Sequence, residues 1–284
     1  MLFWIEQTFA GLSNCGLLFL LASGLSLIFG VMQIINMAHG SYFLIGGYLS
    51  ISIIQFTGSW LLALPMSGLI VALIGILMQR YFLRPLGRKD LAQVMVTIGF
   101  LFIIQQAAID IWGGDPMKVK VPSYLDWSAE VGGIYFPTYR VFILGVSILI
   151  AITLWLGIER TRVGAMIRAT VDDDEMARCL GIKTLRIHMV VFGLGAFLAA
   201  FGGGIGGGLI GIFPGLDSHI LPLAFAVVII GGLGSLKGAA LGSLLIGLVD
   251  SFGKALFPEI SYFTLFAPMA IVLALKPTGL FGRS

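Results

Sequence analysis

Apolar residues run through this chain in long unbroken stretches, without the period-two alternation of a membrane barrel strand, and polar residues gather between them. A bilayer core about 30 Å thick takes about 20 helical residues to cross. On that measure the pattern predicts spans near 8–31, 37–57, 60–83, 91–112, 137–158, 187–211, 219–233, 236–257 and 260–276. Two boundaries are soft. The stretch 219–233 is short and bounded by glycine, and the interruption at Gln33–Gly40 is brief, so the count is eight or nine. The expected fold is an all-α, polytopic transmembrane helical bundle, one domain over 1–284.

Composition agrees with the pattern and excludes the alternatives. Only 11% of residues are charged and 58% are apolar, against about 25% and about 45–50% in soluble domains. A soluble enzyme needs far more polar surface, and a disordered chain has far fewer apolar residues.

The placement of the charges adds orientation. The first Lys or Arg is Arg80 and the only Asp or Glu before it is Glu6, so the N-terminus lacks the basic start of a signal peptide and reads as a retained span. Thirteen of the 17 bases fall on one side, in Arg80–Lys89, Glu159–His188, Lys237 and Lys276–Arg283. The other side holds Lys118, Lys120, Arg140 and Lys254. The excess of bases puts the first set, with the C-terminus, in the cytoplasm. Nine spans then leave the N-terminus outside and eight leave it inside. The bases form no long run, which argues against a nucleic-acid partner at a net charge of +3. Cys15 and Cys179 make no disulfide framework or metal spacing. The outer stretch 113–137, with Tyr124, Trp127, Tyr135 and three prolines, suits an interfacial cap or a partner-docking loop.

Polar and glycine positions inside the spans are candidate pathway features. Asn36 and His39 sit at the first interruption, where polar groups are costly and face a bundle interior or a wet path. They are read equally as a gate lining the translocation pathway or as caps on a broken helix. His39 has no carboxylate at ligand spacing, and no metal site is expected. His219, beside Asp217 and after Pro214-Gly215, is expected to start a short segment at the outer face in a structural role. Gly202–Gly208 holds six glycines in seven positions, which predicts close helix approach. Asp250 and Lys254, four apart, read as an interfacial pair. No nucleotide-binding loop is present: Gly253-Lys254 is followed by Ala255 and preceded by Leu248 where a glycine is required.

The cytoplasmic segment 159–186 carries the most specific pattern. Thr170 and Asp172 are candidate N-caps, and Asp172, Asp173, Asp174 and Glu175 crowd the next turn, where acids complement the helix dipole. Gly181 stands where a left-handed residue would end the helix. A short helix near 172–180 follows, with Met176, Ala177 and Leu180 as an apolar stripe that requires a covering surface. The alternative is a solvated connection between spans.

Four stretches together resemble a known family. Glu175-Met176-Ala177 and Gly181 resemble the E-A-A-x-x-x-G pattern of ABC importer permeases, with Met176 for the first alanine. The stretch 160–170 is similar to branched-chain amino acid permeases of the LivH type. So are Gly24-Leu25 through Asn36-Met37-Ala38-His39-Gly40, Gly231 through Ala239, and Lys276 through Gly282. Met37 replaces a usual phenylalanine, Lys276 a usual arginine, and no Ile-x-Leu-Pro ending follows Gly181. The resemblance implies a type II-like permease fold whose 159–186 loop is a coupling loop. It assigns ATPase coupling to Arg162, Arg168, Asp172, Asp173, Asp174, Glu175, Met176, Ala177, Leu180 and Gly181. It further implies two ABC ATPase subunits, a second LivM-like permease, an external solute-binding protein, a bacterial inner membrane, no cofactor and no enzymatic activity of its own. The expected function is import of branched-chain or related amino acids by alternating access. The alternative is a stand-alone carrier or channel for a small neutral solute such as urea or amides.

Overall fold

The structure, a computed structural model, describes residues 2–87, 89–131 and 134–282. Arg88 and Arg283, counted above among the cytoplasmic bases, lie outside the described residues. Eleven α-helices appear among the described residues: α1 Leu2–Met32, α2 His39–Thr57, α3 Trp60–Met78, α4 Asp90–Trp112, α5 Thr138–Arg160, α6 Arg162–Asp172, α7 Asp174–Cys179, α8 Thr184–Leu209, α9 Leu216–Gly231, α10 Leu236–Leu256 and α11 Ser261–Leu275. A small antiparallel hairpin of β1 Ser128–Val131 and β2 Ile134–Pro137 folds the loop before α5. Six of the helices are long and apolar enough to cross a membrane, and α9 is shorter. The chain is a multi-pass membrane protein.

Helix ends follow the local chemistry. Gly58, Gly113 and Gly232 take positive φ angles of 69°, 86° and 101° just past α2, α4 and α9, a backbone region open to glycine at little cost. Ser235 opens α10 by accepting the Gly238 amide proton at 3.0 Å. The last described segment straps the end of α9: the Leu280 and Phe281 amides donate to the Ile230 and Gly231 carbonyls at 2.8 and 2.9 Å. Those carbonyls have no partner within their own helix, which gives the run Lys276 through Gly282 a structural use.

The core lies where α1 and α8 cross, antiparallel. Along them Gly24 meets Gly195, Leu20 meets Gly202 and Leu17 meets Gly206. Around this pair the two ends of the chain are arranged alike. After α1 comes a non-helical break of six residues, 33–38, and then α2 and α3; after α8 comes another of six, 210–215, and then α9 and α10. α3 packs on α8, and α10 packs on α1. The outward faces of α3, α4 and α5 expose large apolar side chains such as Leu69, Phe102 and Leu149, as lipid contact requires.

The expected span 219–233 needs correction. α9 begins not at an outer face but inside the bundle, because Gly40 at the start of α2 packs against the Asp217 backbone. The start of α9 therefore lies against the start of α2.

Candidate functional site

The segment 159–186 holds a pair of short helices, α6 and α7, rather than one. Thr161 caps α6 by accepting the Gly164 amide proton at 3.0 Å. Gly164, Ile167 and Thr170 are buried on one side of α6, and Ile167 packs with Leu154, Ile187 and Leu27 of α5, α8 and α1. A β-carbon at Gly164 would overlap the carbonyls of Gly157 and Ile158, so the tight turn off α5 requires glycine there. Arg168 donates from its guanidinium to the Ile158 carbonyl and lies 3.9 Å from Glu159. It thereby ties α6 to the end of α5. Arg162 is exposed.

The N-cap of α7 is Asp173, not Thr170 or Asp172. Asp173 is extended, with φ −158° and ψ 105°, and its Oδ1 accepts the Glu175 and Met176 amide protons at 3.0 and 2.9 Å. Asp172 instead closes α6, and the Thr170 hydroxyl turns back to the Met166 carbonyl. Asp174 pairs with Arg178 and lies 3.7 Å from His188 of α8. Arg178 also reaches Thr184 at 3.0 Å. Gly181 ends the element with φ +84°. The apolar stripe divides: Ala177 is 2% exposed and faces the chain's own bundle, whereas Met176 is 57% and Leu180 74% exposed. What remains uncovered is Met176 and Leu180, flanked by Glu175 and Cys179.

Asn36 and His39 lie fully buried in and after the first break. The Asn36 Oδ1 accepts the Ala38 amide proton at 3.1 Å, and its backbone carbonyl accepts that of His39 at 3.2 Å. Thr97 of α4 accepts the Met37 amide proton at 3.2 Å. Between them these groups satisfy much of the freed backbone, as a break at membrane depth demands. The His39 Nε2 meets the Leu21 carbonyl of α1 at 2.9 Å, and its ring packs edge-on to Tyr42 at 6.0 Å. No cluster of three metal-binding side chains occurs among the described residues.

A third group was not anticipated. Asp217, fully buried, accepts from Ser41 of α2 at 2.7 Å, from Gln105 of α4 at 2.8 Å and from the Ser218 amide at 3.0 Å. Gln105 also reaches the Ser218 hydroxyl at 3.1 Å. A carboxylate out of water is costly unless hydrogen-bonded, and here three donors and the positive N-terminal end of α9 surround it. The signal for it in the sequence was a lone acid between apolar stretches, hidden by the Pro214-Gly215 turn before it.

Comparison with known proteins agrees with this architecture. The family model for the permease component of branched-chain amino acid transport systems matches residues 7–274. The chain is 31% identical over 305 aligned residues to the high-affinity branched-chain amino acid permease LivH of Salmonella typhimurium, covering 99% of this chain and 96% of that protein. To BraD of Pseudomonas aeruginosa, a permease of the same description, identity is 29% over 99% of this chain and 96% of that one. The LivM permease of Escherichia coli is more distant, at 26% over 92% of this chain and 67% of that protein. A match over nearly its whole length makes this chain a member of the branched-chain amino acid transport permease family.

Proposed function

We propose that this chain is the membrane-spanning permease subunit of an ATP-driven importer of branched-chain or related amino acids in a bacterial inner membrane. Two ABC ATPase subunits supply the energy, a second LivM-like permease completes the transmembrane unit, and a solute-binding protein delivers the amino acid from outside. The segment 159–186 lies in the cytoplasm with the C-terminus, and α7 docks on an ATPase subunit. Nucleotide and the loaded binding protein each favour one of two bundle arrangements, and α6–α7 carries that bias between them. A stand-alone carrier has no use for such an element.

The observation that carries this reading is the exposed pair Met176 and Leu180 on a helix capped at both ends. Bare apolar side chains on a charged helix outside the bilayer favour a protein partner. α7 is fixed to the bundle through Asp174, Arg178 and α6, so force applied there reaches α5 and α8. The test is Leu180→Glu in the reconstituted complex. The Leu180 side chain is largely exposed, so membrane insertion persists while ATP hydrolysis stimulated by the loaded binding protein is lost. Normal stimulated hydrolysis by that variant, or amino acid uptake by this chain without ATPase subunits, overturns the proposal.

A further inference from the structure

One face of the bundle exposes polar side chains at a depth where lipid would not tolerate them. Ser218 and His219, in the first turn of α9, are exposed, and so is Gln106, next to Gln105 on α4. Gln106 donates to Asp110 one turn nearer the end of α4 at 2.9 Å, and the depth of the first turn of α9 follows from helix lengths. Ser41 lies 16 residues before the end of α2 and Asp217 lies 14 before the end of α9. At 1.5 Å per residue these are about 24 Å and about 21 Å of helix. Those helices leave the Ser41–Asp217 contact in opposite directions, so the contact is remote from both membrane surfaces.

Two observations set this face apart. Elsewhere at similar depth the large exposed side chains are apolar, as at Leu69, which follows Gly68 packed on Phe197 in the middle of α8, and at Leu149, central in α5. The exposed Thr153 one turn on returns its hydroxyl to the Leu149 carbonyl at 2.8 Å. Here the backbone itself is broken. The two six-residue breaks converge, and non-helical backbone at membrane depth is stable only when buried in protein or lining a wet cavity. Asp217, bonded to α2 and α4, fixes the first turn of α9 so that Ser218 and His219 face outward from a rigid support.

We infer that the first turn of α9, with Gln105 and Gln106 of α4, is one wall of a water-filled pathway at the middle of the membrane. The solute class that such a wall serves is a zwitterion: hydroxyl, imidazole and amide groups exchange hydrogen bonds with an ammonium and a carboxylate. The two carboxylates beside them are already engaged, Asp217 by Ser41, Gln105 and the Ser218 amide, and Asp110 by Gln106. Asn36 and His39 lie buried behind this wall rather than on it. The identity of the solute rests on the permease reading above; the presence of water does not.

Thiol labelling in the full complex, with Cys15→Ala and Cys179→Ser as background, tests the inference. A charged, membrane-impermeant methanethiosulfonate reagent is expected to modify Ser218→Cys and His219→Cys about tenfold or more faster than the lipid-facing Leu69→Cys, since hydrocarbon excludes charge by a larger factor. Should Ser218→Cys fail to accumulate, His219→Cys and Gln106→Cys carry the same comparison, with Leu149→Cys as a second lipid-facing control. Rates equal to the lipid-facing controls overturn the inference. So does disulfide crosslinking of Ser218→Cys to the second permease without reagent access, which marks a dry interface. Leucine uptake measured in parallel separates the two readings: labelling without uptake counts against the solute, and uptake without labelling counts against the wall.

Discussion

Gly203 and Gly99 are the same residue type in two long helices, and the structure gives them opposite meanings. A β-carbon at Gly203 would overlap the Phe43 carbonyl of α2, whereas one at Gly99 meets nothing within 4 Å. Gly203→Val is therefore expected to lower stability by about 1–3 kcal/mol or more, by forcing α2 and α8 apart. Gly99→Ala is expected to raise it by up to about 1 kcal/mol through helix propensity. Thermal unfolding of both variants in detergent checks the pair, and a stabilised Gly203→Val would refute the packing described for α2 and α8. The run of six glycines in 202–208 made close approach legible in the sequence. It could not say that the neighbours would be Phe43, Ser50 and Tyr139, because those contacts join distant parts of the chain. The same limit hid Asp217, whose partners Ser41 and Gln105 lie 176 and 112 residues away.

At the scale of elements, α7 was legible because its determinants are local: a block of acids, a short apolar stripe and a terminal glycine. α6 was not, although Thr161 and the buried series Gly164, Ile167 and Thr170 at intervals of three mark a capped amphipathic helix. The charged positions Arg162 and Arg168 masked that series in the reading of the loop. The stripe misassigned Ala177, since a helix of six residues turns that position back onto its own bundle. Because Asp173 satisfies two amides at the start of α7, Asp173→Ala is expected to cost about 1 kcal/mol of local helix stability. By the same measure, amide hydrogen exchange at 175–177 should quicken about fivefold. Exchange at the wild-type rate would mean that Asp173 is not the cap.

For the whole molecule, the breaks decide how the chain is threaded. Gly30 near the end of α1 meets Gly234 before α10, and Val31 and Leu236 pack beside Ile167 of α6. At the opposite end Gln7 of α1 bonds Ser251 of α10 at 2.9 Å. The start of α1 and the strap at 276–282 thus lie at opposite ends of the bundle. Hydropathy left that open, since a six-residue break that doubles back into the bilayer has the composition of an ordinary turn. The charge pattern predicts an orientation. Lys237, Lys276 and the bases of α6 and α7 gather at the end where α1 finishes, and Lys254 lies at the end where it starts. If that basic end is cytoplasmic, the exposed native Cys179 of α7 is shielded in spheroplasts, and a Ser123→Cys in the loop before β1 is not. A membrane-impermeant maleimide should label Ser123→Cys at once and Cys179 only after permeabilisation. Labelling of Cys179 in sealed spheroplasts would invert the molecule in the membrane and remove α7 from the reach of any cytoplasmic ATPase.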